Sequence, residues 1–539
     1  MANPRSRATI NSWDNARENP SRFDEVADDM IQEATSHKSL EMPTSTKRMV
    51  RTAAALAHFL AVTAAKVAAN PSPKFLDDLA AKFQVEQGLP GLVVASVAQR
   101  KARNGIDCHL RYWAGAYGYA NIGREEPMTT DTSLWFASVT KAVVGTILTK
   151  AVEDGHLTME SKVSDILREA NSFQLGDPNA TPWLEDITLQ HLVTHRSTIV
   201  DDPSIYLCGY FVGDRDGDHM LLVDLFGQVD NVCVEDSPVV LGEYLEAYLA
   251  SDGPYYSLNN FLSVQPGEQH EYSNVGAALT GHLISLATGT PLPEYSSSTV
   301  FSQLGMRNTS FRQSDLSRIA TPYTTLNGVL EEYQEMPIYD VATFPDGGLR
   351  SSVNDMAKFL GMLMNDGTLA GKITTTAGAD SSTTVAPRAS STTLEDVILL
   401  QPESVRKMFT PAYEGDSRGT FWFITSLEIG GKERNLIGHN GADPGAFSYM
   451  FFDPDSSTGY IIAGNGESDN LDPQALANLT AALFAHADAM LVDDDNGSGE
   501  DTSGTTVNGG DGSASTAATA SVTHFLYALS PLVFWALAY

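Results

Sequence analysis

A serine followed three residues later by a lysine, Ser138 and Lys141, is the pair in this sequence best placed to do chemistry. The residues that follow are apolar around most of a helix, so the pair is predicted to open a buried helix. Residues i and i+3 share one helix face, which brings the lysine amine within reach of the serine hydroxyl. The helix N-terminus favours negative charge on that oxygen, and an apolar surround favours a neutral lysine. We therefore predict that Ser138 is a nucleophile and Lys141 its base.

The same S-x-x-K pattern recurs at Ser404 and Lys407, so the pattern alone does not choose between the two copies. Ser404 follows Gln-Pro-Glu and opens a charged amphipathic segment, which is typical of an ordinary helix start. The apolar run before Ser138 and the apolar helix after it favour the first copy. The alternative interpretation of that copy is a capping serine followed by a surface lysine.

A second polar element is a Pro-Gly turn that leads into Tyr272 and Asn274, directly before another apolar helix. A tyrosine transfers protons when a neighbouring cation lowers its pKa. An asparagine amide donates and accepts at once, which suits contact with an ester or amide carbonyl. Taken alone, this element is a turn followed by a capped helix.

A third element, Ile-Gly-His-Asn-Gly-Ala, ends one predicted strand and starts the next. Gly441 lets a substrate lie against the strand edge because it has no side chain. The backbone N–H of Ala442 is then predicted to form an oxyanion hole with that of Ser138. His439 taken alone is more typical of a structural histidine.

The elements that must position these residues are strands near both ends of the globular region, with helices between them. We predict a helix over 73–87, a mostly helical stretch from 138 to about 300, a helix over 473–491, and strands over 92–99, 109–120, 419–428, 434–440, 446–454 and 459–465. This pattern predicts an α+β fold, in which an antiparallel sheet is flanked by N- and C-terminal helices and carries a mostly helical lobe. Residues 373–393 are predicted to form a low-complexity loop.

The sequence divides into four regions. Residues 1–70 are predicted to be disordered and contain a signal-like apolar segment at 49–69. A globular domain over 71–492 precedes an acidic, Ser/Gly/Thr-rich linker at 493–524 and an apolar tail at 525–539 that is similar to a GPI-anchor signal. Both ends predict an extracellular, surface-anchored protein that meets a membrane only through a C-terminal lipid anchor. The alternative is a cytoplasmic or organellar protein whose segment 49–69 is an ordinary Ala-rich helix.

Acidic residues outnumber basic ones by 67 to 34 in 539 residues, for a formal net charge of −33. Nucleic-acid binding needs a basic stripe, which this sequence lacks, so no nucleic-acid partner is predicted. The absence of a C-x-x-C pair argues against a zinc or redox site, and no metal or cofactor is predicted. The three cysteines leave two interpretations open, namely three buried thiols or a disulfide between Cys208 and Cys233 with Cys108 free.

The three motifs, in this order and at these spacings, resemble the β-lactamase-related serine hydrolases. That family includes class C β-lactamases, D-alanyl-D-alanine carboxypeptidases and esterases, and the resemblance covers about 80–480. It extends to framing segments at 186–195, 304–306, 345–349, 352–367 and 401–404. The resemblance implies a β-lactamase/transpeptidase-like fold.

The resemblance also implies roles for the residues. Ser138 would form an acyl-enzyme, and Lys141 and Tyr272 would share the proton transfers. Asn274 would position Lys141 and the substrate, while the backbone amides of Ser138 and Ala442 would hold the oxyanion.

The sequence departs from the family pattern at three places. His439 stands where β-lactamases usually have the lysine of Lys-Thr-Gly, and a mostly neutral histidine is a weaker partner for a substrate carboxylate. We therefore expect a small-molecule ester, amide or peptide as substrate, with a true β-lactamase or a catalytically inactive surface binding protein as the alternatives. His-Arg-Ser-Thr at 195–198 replaces the usual Thr-Ser-Gly, and the long acidic segment 199–262 is predicted to form a lid-like wall.

Overall fold

The computed structural model describes residues 71–101, 108–213, 218–225, 232–234, 236–325, 333–380, 389–469 and 471–495. The predictions for the N-terminal region 1–70, for all but the first residues of the linker 493–524 and for the tail 525–539 lie outside this described part.

A nine-stranded sheet is the centre of the described chain. Eight of its strands are β1 (Gly91–Arg100), β2 (His109–Asn121), β3 (Lys372–Asp380), β4 (Ala389–Thr393), β5 (Phe423–Ile429), β6 (Lys432–Asp443), β7 (Ala446–Asp453) and β8 (Thr458–Gly464). They lie in the order β4-β3-β2-β1-β8-β7-β6-β5, and a short strand over Glu126–Pro127 pairs with β2. β1 and β8 are antiparallel, with Leu92 opposite Gly464, so both ends of the domain complete the sheet as predicted.

Strand β1 is buried on both faces, which explains its nearly continuous apolar sequence. Successive side chains point to opposite faces of a strand. Leu92 and Val94 accordingly pack among the residues of the N- and C-terminal helices, whereas Val93 and Ala95 belong to the larger core on the opposite face.

Six longer helices cover the sheet and form the lobe beside it. They are α1 (Pro73–Glu86), α2 (Val139–Glu153), α3 (Leu241–Leu249), α4 (Asn274–Thr288), α5 (Val353–Met364) and α6 (Pro473–Asp495). α1 and α6 pack on one face of the sheet and α5 on the other, while α2, α3 and α4 lie together in the lobe. The stretch Pro473–Val492 of α6 is long and apolar enough to cross a membrane, but just over half of it is buried against the protein.

Shorter elements connect these units. The short helices are Val163–Glu169, Leu189–Val193, Pro203–Tyr206, Leu222–Leu225, Leu292–Ser296, Phe344–Gly347 and Pro402–Met408. The short strands are Leu134–Trp135, Tyr210–Gly213, His219–Leu221, Tyr323–Thr325, Tyr333–Glu335, Asp340–Val341, Arg350–Ser351, Thr368–Leu369 and Val397–Ile398. The helix Pro402–Met408 contains the second S-x-x-K copy, whose Lys407 is exposed on the surface.

Two predictions about the sheet are wrong. The segment 373–393 is not a loop throughout, because it supplies most of β3 and all of β4. β3 runs parallel to β2, with Thr374 opposite Arg111, so the sheet is mixed rather than purely antiparallel. The β-branched threonines at 374–376 favour extended backbone, a preference that low sequence complexity conceals.

The sequence left open whether the cysteines are three buried thiols or include a disulfide, and the structure contains the disulfide. Cys208 and Cys233 form a disulfide, and Cys108 is free. The disulfide ties the end of the helix Pro203–Tyr206 to a later part of the acidic segment 199–262.

Candidate active site

Ser138 lies in a sharp turn between the short strand Leu134–Trp135 and helix α2. Ala137 has a φ of 45°, a left-handed conformation that is strained for a residue other than glycine. The carbonyl oxygen of Phe136 accepts a hydrogen bond of 2.6 Å from the Ser448 hydroxyl, which holds the turn against β7. The turn places Ser138 at the start of a helix that is buried along most of its length.

Lys141 reaches back to this serine. Its Nζ donates to Ser138 Oγ at 3.1 Å and to the backbone carbonyl oxygen of Asp346 at 2.7 Å, and the side chain is completely buried. The same Nζ lies 5.1 Å from the centre of the Tyr272 ring. The structure therefore brings together Ser138, Lys141 and Tyr272, the three residues predicted to be catalytic.

The surround of Lys141 is not the apolar one predicted from the sequence. Burial is the largest single influence and favours the neutral amine, but attraction by Tyr272 and by the carboxylates of Asp346 and Asp201 outweighs it, and the pKa of Lys141 is raised. The push toward the neutral form that burial was expected to exert is present, but the nearby acidic groups oppose it. The two aspartates come from distant parts of the chain, so the sequence around Lys141 did not reveal them.

Tyr272 and Asn274 lie on either side of Ser273, the residue that caps α4. Asp201 fixes this turn, because its carboxylate accepts hydrogen bonds from the Ser273 hydroxyl at 2.9 Å and from the Asn274 backbone N–H at 2.6 Å. In the described structure, no hydrogen bond joins the Asn274 side chain to Lys141. Asn274 is therefore near the site, but the contact to Lys141 expected from the family resemblance is not formed.

His195 packs against the ring of Tyr272. The two rings lie 4.4 Å apart and nearly parallel. His195 Nδ1 accepts the backbone N–H of Ser273 at 3.1 Å, and the residue has a φ of 56°. Burial, followed by His270 and by the positive charges of Arg418 and Lys141, lowers the pKa of His195 well below its usual value, so the ring is neutral. His195 thus helps to fix the position of Tyr272.

The edge of strand β6 passes beside the nucleophile. β5 pairs with β6 only as far as Gly438, so beyond that residue β6 has a strand partner on one side only in the described structure. A Cβ atom on Gly441 would lie 2.6 Å from the backbone nitrogen of Ser138, which shows that the strand backbone lies directly against the nucleophile. Ala442 is the next residue along this edge.

His439 is almost fully buried two residues before Gly441. Its ring stacks on Phe423 with centroids 4.2 Å apart, and Nδ1 lies 2.6 Å from the Asn440 carbonyl oxygen. Burial and the positive charge of Lys141 lower the pKa of His439 to about 3. The ring is therefore neutral at physiological pH.

Two carboxyl groups beside the nucleophile were not predicted from the sequence. The Tyr206 hydroxyl lies 2.9 Å from both carboxyl oxygens of Asp346, and the Tyr210 hydroxyl lies 2.6 Å from Asp443. Burial raises the pKa of Asp346 to about 7 and that of Asp443 to about 6. A signal for Asp443 existed, because alternate residues of a strand share a face and Asp443 is two residues after Gly441.

The unusual sequence at 195–198 forms part of a charged wall near Tyr272. Arg196 and Arg418 both bind Asp416, at 3.1 and 3.4 Å, in a largely buried cluster. The Arg418 guanidinium lies 5.6 Å from the Phe423 ring, the same ring on which His439 stacks. No local motif marks this wall, because Arg196 is 220 residues away from Asp416 in the chain.

Comparisons with known proteins agree with this architecture. A family model described as Beta-lactamase matches residues 76–484. The chain is 28% identical over 213 residues to Esterase EstB of Burkholderia gladioli, which is 39% of this chain and 46% of the esterase. The chain spans about half the length of several curated relatives that it matches.

Solved structures share the fold at low sequence identity. The octameric penicillin-binding protein homologue from Pyrococcus abyssi superposes with a TM-score of 0.53 and 22% identity, over 78% of this chain and 77% of that one. The D-amino acid amidase from Ochrobactrum anthropi SV3 superposes with a TM-score of 0.50 and 19% identity, over 77% and 98% of the two chains. The predicted α+β fold of the β-lactamase/transpeptidase type is confirmed.

Proposed function

Because this chain belongs to the beta-lactamase family, we propose that it is a serine hydrolase that cleaves ester or amide bonds through an acyl-enzyme on Ser138. The observation that carries this proposal is the hydrogen bond of 3.1 Å between Lys141 Nζ and Ser138 Oγ in a buried site. The similarity to an esterase over part of the chain supports the choice of an ester among the substrates.

The first step transfers a proton away from Ser138. Its Oγ attacks the substrate carbonyl carbon, and the proton passes to Lys141 and Tyr272, which act as a coupled pair. Nearby carboxylates favour the protonated amine of Lys141, so the reactive form of the enzyme is the one in which the Lys141–Tyr272 pair has already lost one proton to solvent. The centre of the Tyr272 ring lies 5.1 Å from Nζ, and the vacant proton site that the pair shares in this form is filled by the proton of Ser138.

The negative charge that forms on the carbonyl oxygen then needs donors. The backbone N–H groups of Ser138 and Ala442 supply them in this proposal, and Gly441 allows the strand to come close enough. The Lys141–Tyr272 pair next gives its proton to the leaving group as the bond to that group breaks. Water attacks the acyl-enzyme in the same way, which releases the acid and restores Ser138.

The surroundings favour uncharged substrates over β-lactams. A neutral His439 gives a substrate carboxylate no positive partner at the place where the related β-lactamases have lysine. We therefore expect small uncharged esters or amides as substrates.

The Cys208–Cys233 disulfide supports the extracellular location proposed from the chain ends, because disulfides persist in oxidising compartments. Intact-mass measurement of protein purified from its own cells without reductant tests this part of the proposal. The disulfide and a trimmed C-terminus are the expected result, and fully reduced, untrimmed protein contradicts it.

A substrate panel tests the activity. The full chain is assayed with 4-nitrophenyl phenylacetate, a penicillin and a D-Ala-D-Ala peptide, and labelled with a fluorophosphonate probe that is located by mass spectrometry. We expect ester hydrolysis and a label on Ser138, with a loss of at least about 10³-fold in kcat/KM for Ser138→Ala. Ser404→Ala is the matched control, since it removes the serine of the other S-x-x-K copy. Equal labelling or turnover of Ser138→Ala refutes the proposal and favours a binding protein.

A further inference from the structure

His439, Gly441 and Asp443 lie on the same face of β6, because alternate residues of a strand share a face. This face lies against the nucleophile turn. Gly441 approaches the backbone nitrogen of Ser138, and the Asp443 carboxylate accepts the Trp135 indole N–H at 3.1 Å. The side chain of His439 therefore lies on the face of the strand that is turned toward the active site.

The hydrogen bond of His439 fixes which ring nitrogen carries the proton. Nδ1 lies 2.6 Å from the Asn440 carbonyl oxygen, and a carbonyl oxygen only accepts. Nδ1 must therefore be the protonated nitrogen. Since burial and Lys141 lower the pKa of the ring to about 3, no second proton is present at neutral pH. Nε2 is left with an unprotonated lone pair.

This lone pair has no partner in the described structure. Nε2 is buried and accepts no hydrogen bond, and the ring is held in place by its stack on Phe423 at 4.2 Å. A buried acceptor without a donor is unfavourable, and a donor that arrives on a ligand would remove the penalty. The ring is thus poised to accept one hydrogen bond from a bound molecule.

His439 also lies within electrostatic reach of Lys141 and Arg418. Phe423, on which His439 stacks, also contacts Arg418, and Arg418 lies in the charged wall near Tyr272. Tyr272 belongs to the pair that protonates the leaving group in the proposed mechanism. In that mechanism the leaving group receives its proton there, so we assign the leaving group to the side of the site on which His439 lies.

We infer that His439 selects the leaving group by its lone pair, so that the enzyme prefers a leaving group with an uncharged or cationic hydrogen-bond donor, such as a carboxamide, and rejects one with a carboxylate. This inference rests on the proposed hydrolase function and narrows its substrate class. Two nearby cations do not reverse the preference, because Lys141 is engaged by Ser138 and the Asp346 carbonyl, and Arg418 is paired with Asp416.

A pair of aryl esters tests the inference directly. We compare 3-carbamoylphenyl phenylacetate with 3-carboxyphenyl phenylacetate, which differ only in a donor amide or a carboxylate on the leaving group. The wild type is expected to favour the carbamoyl ester by at least about tenfold in kcat/KM. His439→Lys should reverse the preference, because it places a cation beside the carboxylate. His439→Gln, which keeps a neutral acceptor, should retain it.

The control variant is His156→Lys, which adds the same charge at an exposed position just beyond the far end of α2 and should leave the ratio unchanged. Equal or faster hydrolysis of the carboxylate ester by the wild type, or an unchanged ratio in His439→Lys, overturns the inference.

A spectroscopic measurement decides the inference independently of turnover. In the full chain labelled with ¹⁵N-histidine, a multiple-bond ¹H–¹⁵N spectrum should show an unprotonated Nε2 for His439, with His439→Gln assigning the signal. A protonated Nε2 overturns the inference. If neither ester is hydrolysed in a Ser138-dependent way, the proposed function fails, and this spectrum still decides the state of the ring.

Discussion

The hydroxyl of Tyr206 lies 2.9 Å from each carboxyl oxygen of Asp346, whose own backbone carbonyl lies 2.7 Å from the Lys141 amine. One aspartate therefore connects the acidic segment 199–262 with the lysine of the active site. The segment is therefore expected to do more than enclose the substrate. Its Tyr206 hydroxyl contacts the carboxylate of Asp346, and the backbone carbonyl of the same aspartate accepts a hydrogen bond from Lys141.

Replacing Tyr206 by phenylalanine should destabilise the protein in a pH-dependent way. Burial raises the pKa of Asp346 to about 7, so at about pH 8.5 the carboxylate is charged and loses its phenol donor. We expect a loss of about 1–3 kcal/mol in the free energy of unfolding there, and a smaller loss at about pH 5, where Asp346 is neutral. Urea unfolding at the two pH values measures the loss in the free energy of unfolding at each pH. Tyr119→Phe, at an exposed tyrosine, is the control, and an equal loss at both pH values would contradict the prediction.

Replacing Asp346 by asparagine should shift the pH dependence of activity. The carboxylate of Asp346 helps to raise the pKa of Lys141. Its removal lowers that pKa, so the Lys141–Tyr272 pair loses its proton at lower pH. We expect the acid limb of the kcat/KM profile to move to lower pH by about one unit. An acid limb that stays in place, or that moves to higher pH, would show that the carboxylate of Asp346 does not raise the pKa of Lys141. Asp78→Asn, at an exposed helix position, controls for the loss of one negative charge.

Gly441→Ala should remove most of the activity. The new Cβ would lie 2.6 Å from the Ser138 nitrogen and 2.8 Å from the Phe136 carbonyl oxygen, so the strand must move away from the nucleophile. The two predicted oxyanion donors then separate, and we expect kcat/KM to fall by at least about 10²-fold. Steady-state kinetics measure the loss. Gly123→Ala is the matched control, since its Cβ would meet no atom closer than 3.4 Å, and retained activity in Gly441→Ala would exclude this geometry.

Removing the disulfide should weaken both stability and catalysis. Cys208 lies between Tyr206 and Tyr210, and its bond to Cys233 closes a loop with a sequence separation of 25. The double variant Cys208→Ser/Cys233→Ser should lose about 3 kcal/mol of unfolding free energy by chain entropy alone. It should also lose part of kcat/KM, because both tyrosines hold carboxyl groups at the site. Urea unfolding measures the loss of stability and ester kinetics measure the loss of kcat/KM, with Cys108→Ser as the control. A double variant equal to the wild type in stability and in kcat/KM would be the contrary result.

The sequence predicts the strands and the motifs well, because both are local patterns. The alternation and apolar content of β1, β2, β7 and β8 are visible in short windows, as is the buried helix after Ser138. The spacing of the three motifs also led to the residues that the structure brings together around Lys141.

Charge was harder to predict, because it depends on residues far apart in the chain. Lys141 was expected to be neutral from its apolar neighbours, yet Asp201 and Asp346 reach it from two other segments. No local pattern marks Tyr206 or Asp416 as members of the site. The strands β3 and β4 were missed for a different reason, since their Thr- and Ser-rich sequence is shared by loops and edge strands.

The pairing of β1 with β8 has a consequence for synthesis on the ribosome. β1 is the first of the described strands to be synthesised, whereas β8, which pairs with it at the centre of the sheet, is the last. The nascent chain must carry an apolar strand with an open edge until Gly464 has emerged, and such edges are prone to aggregate. Folding of the domain is therefore expected to be slow and largely post-translational, with the sheet closed only by its final strand.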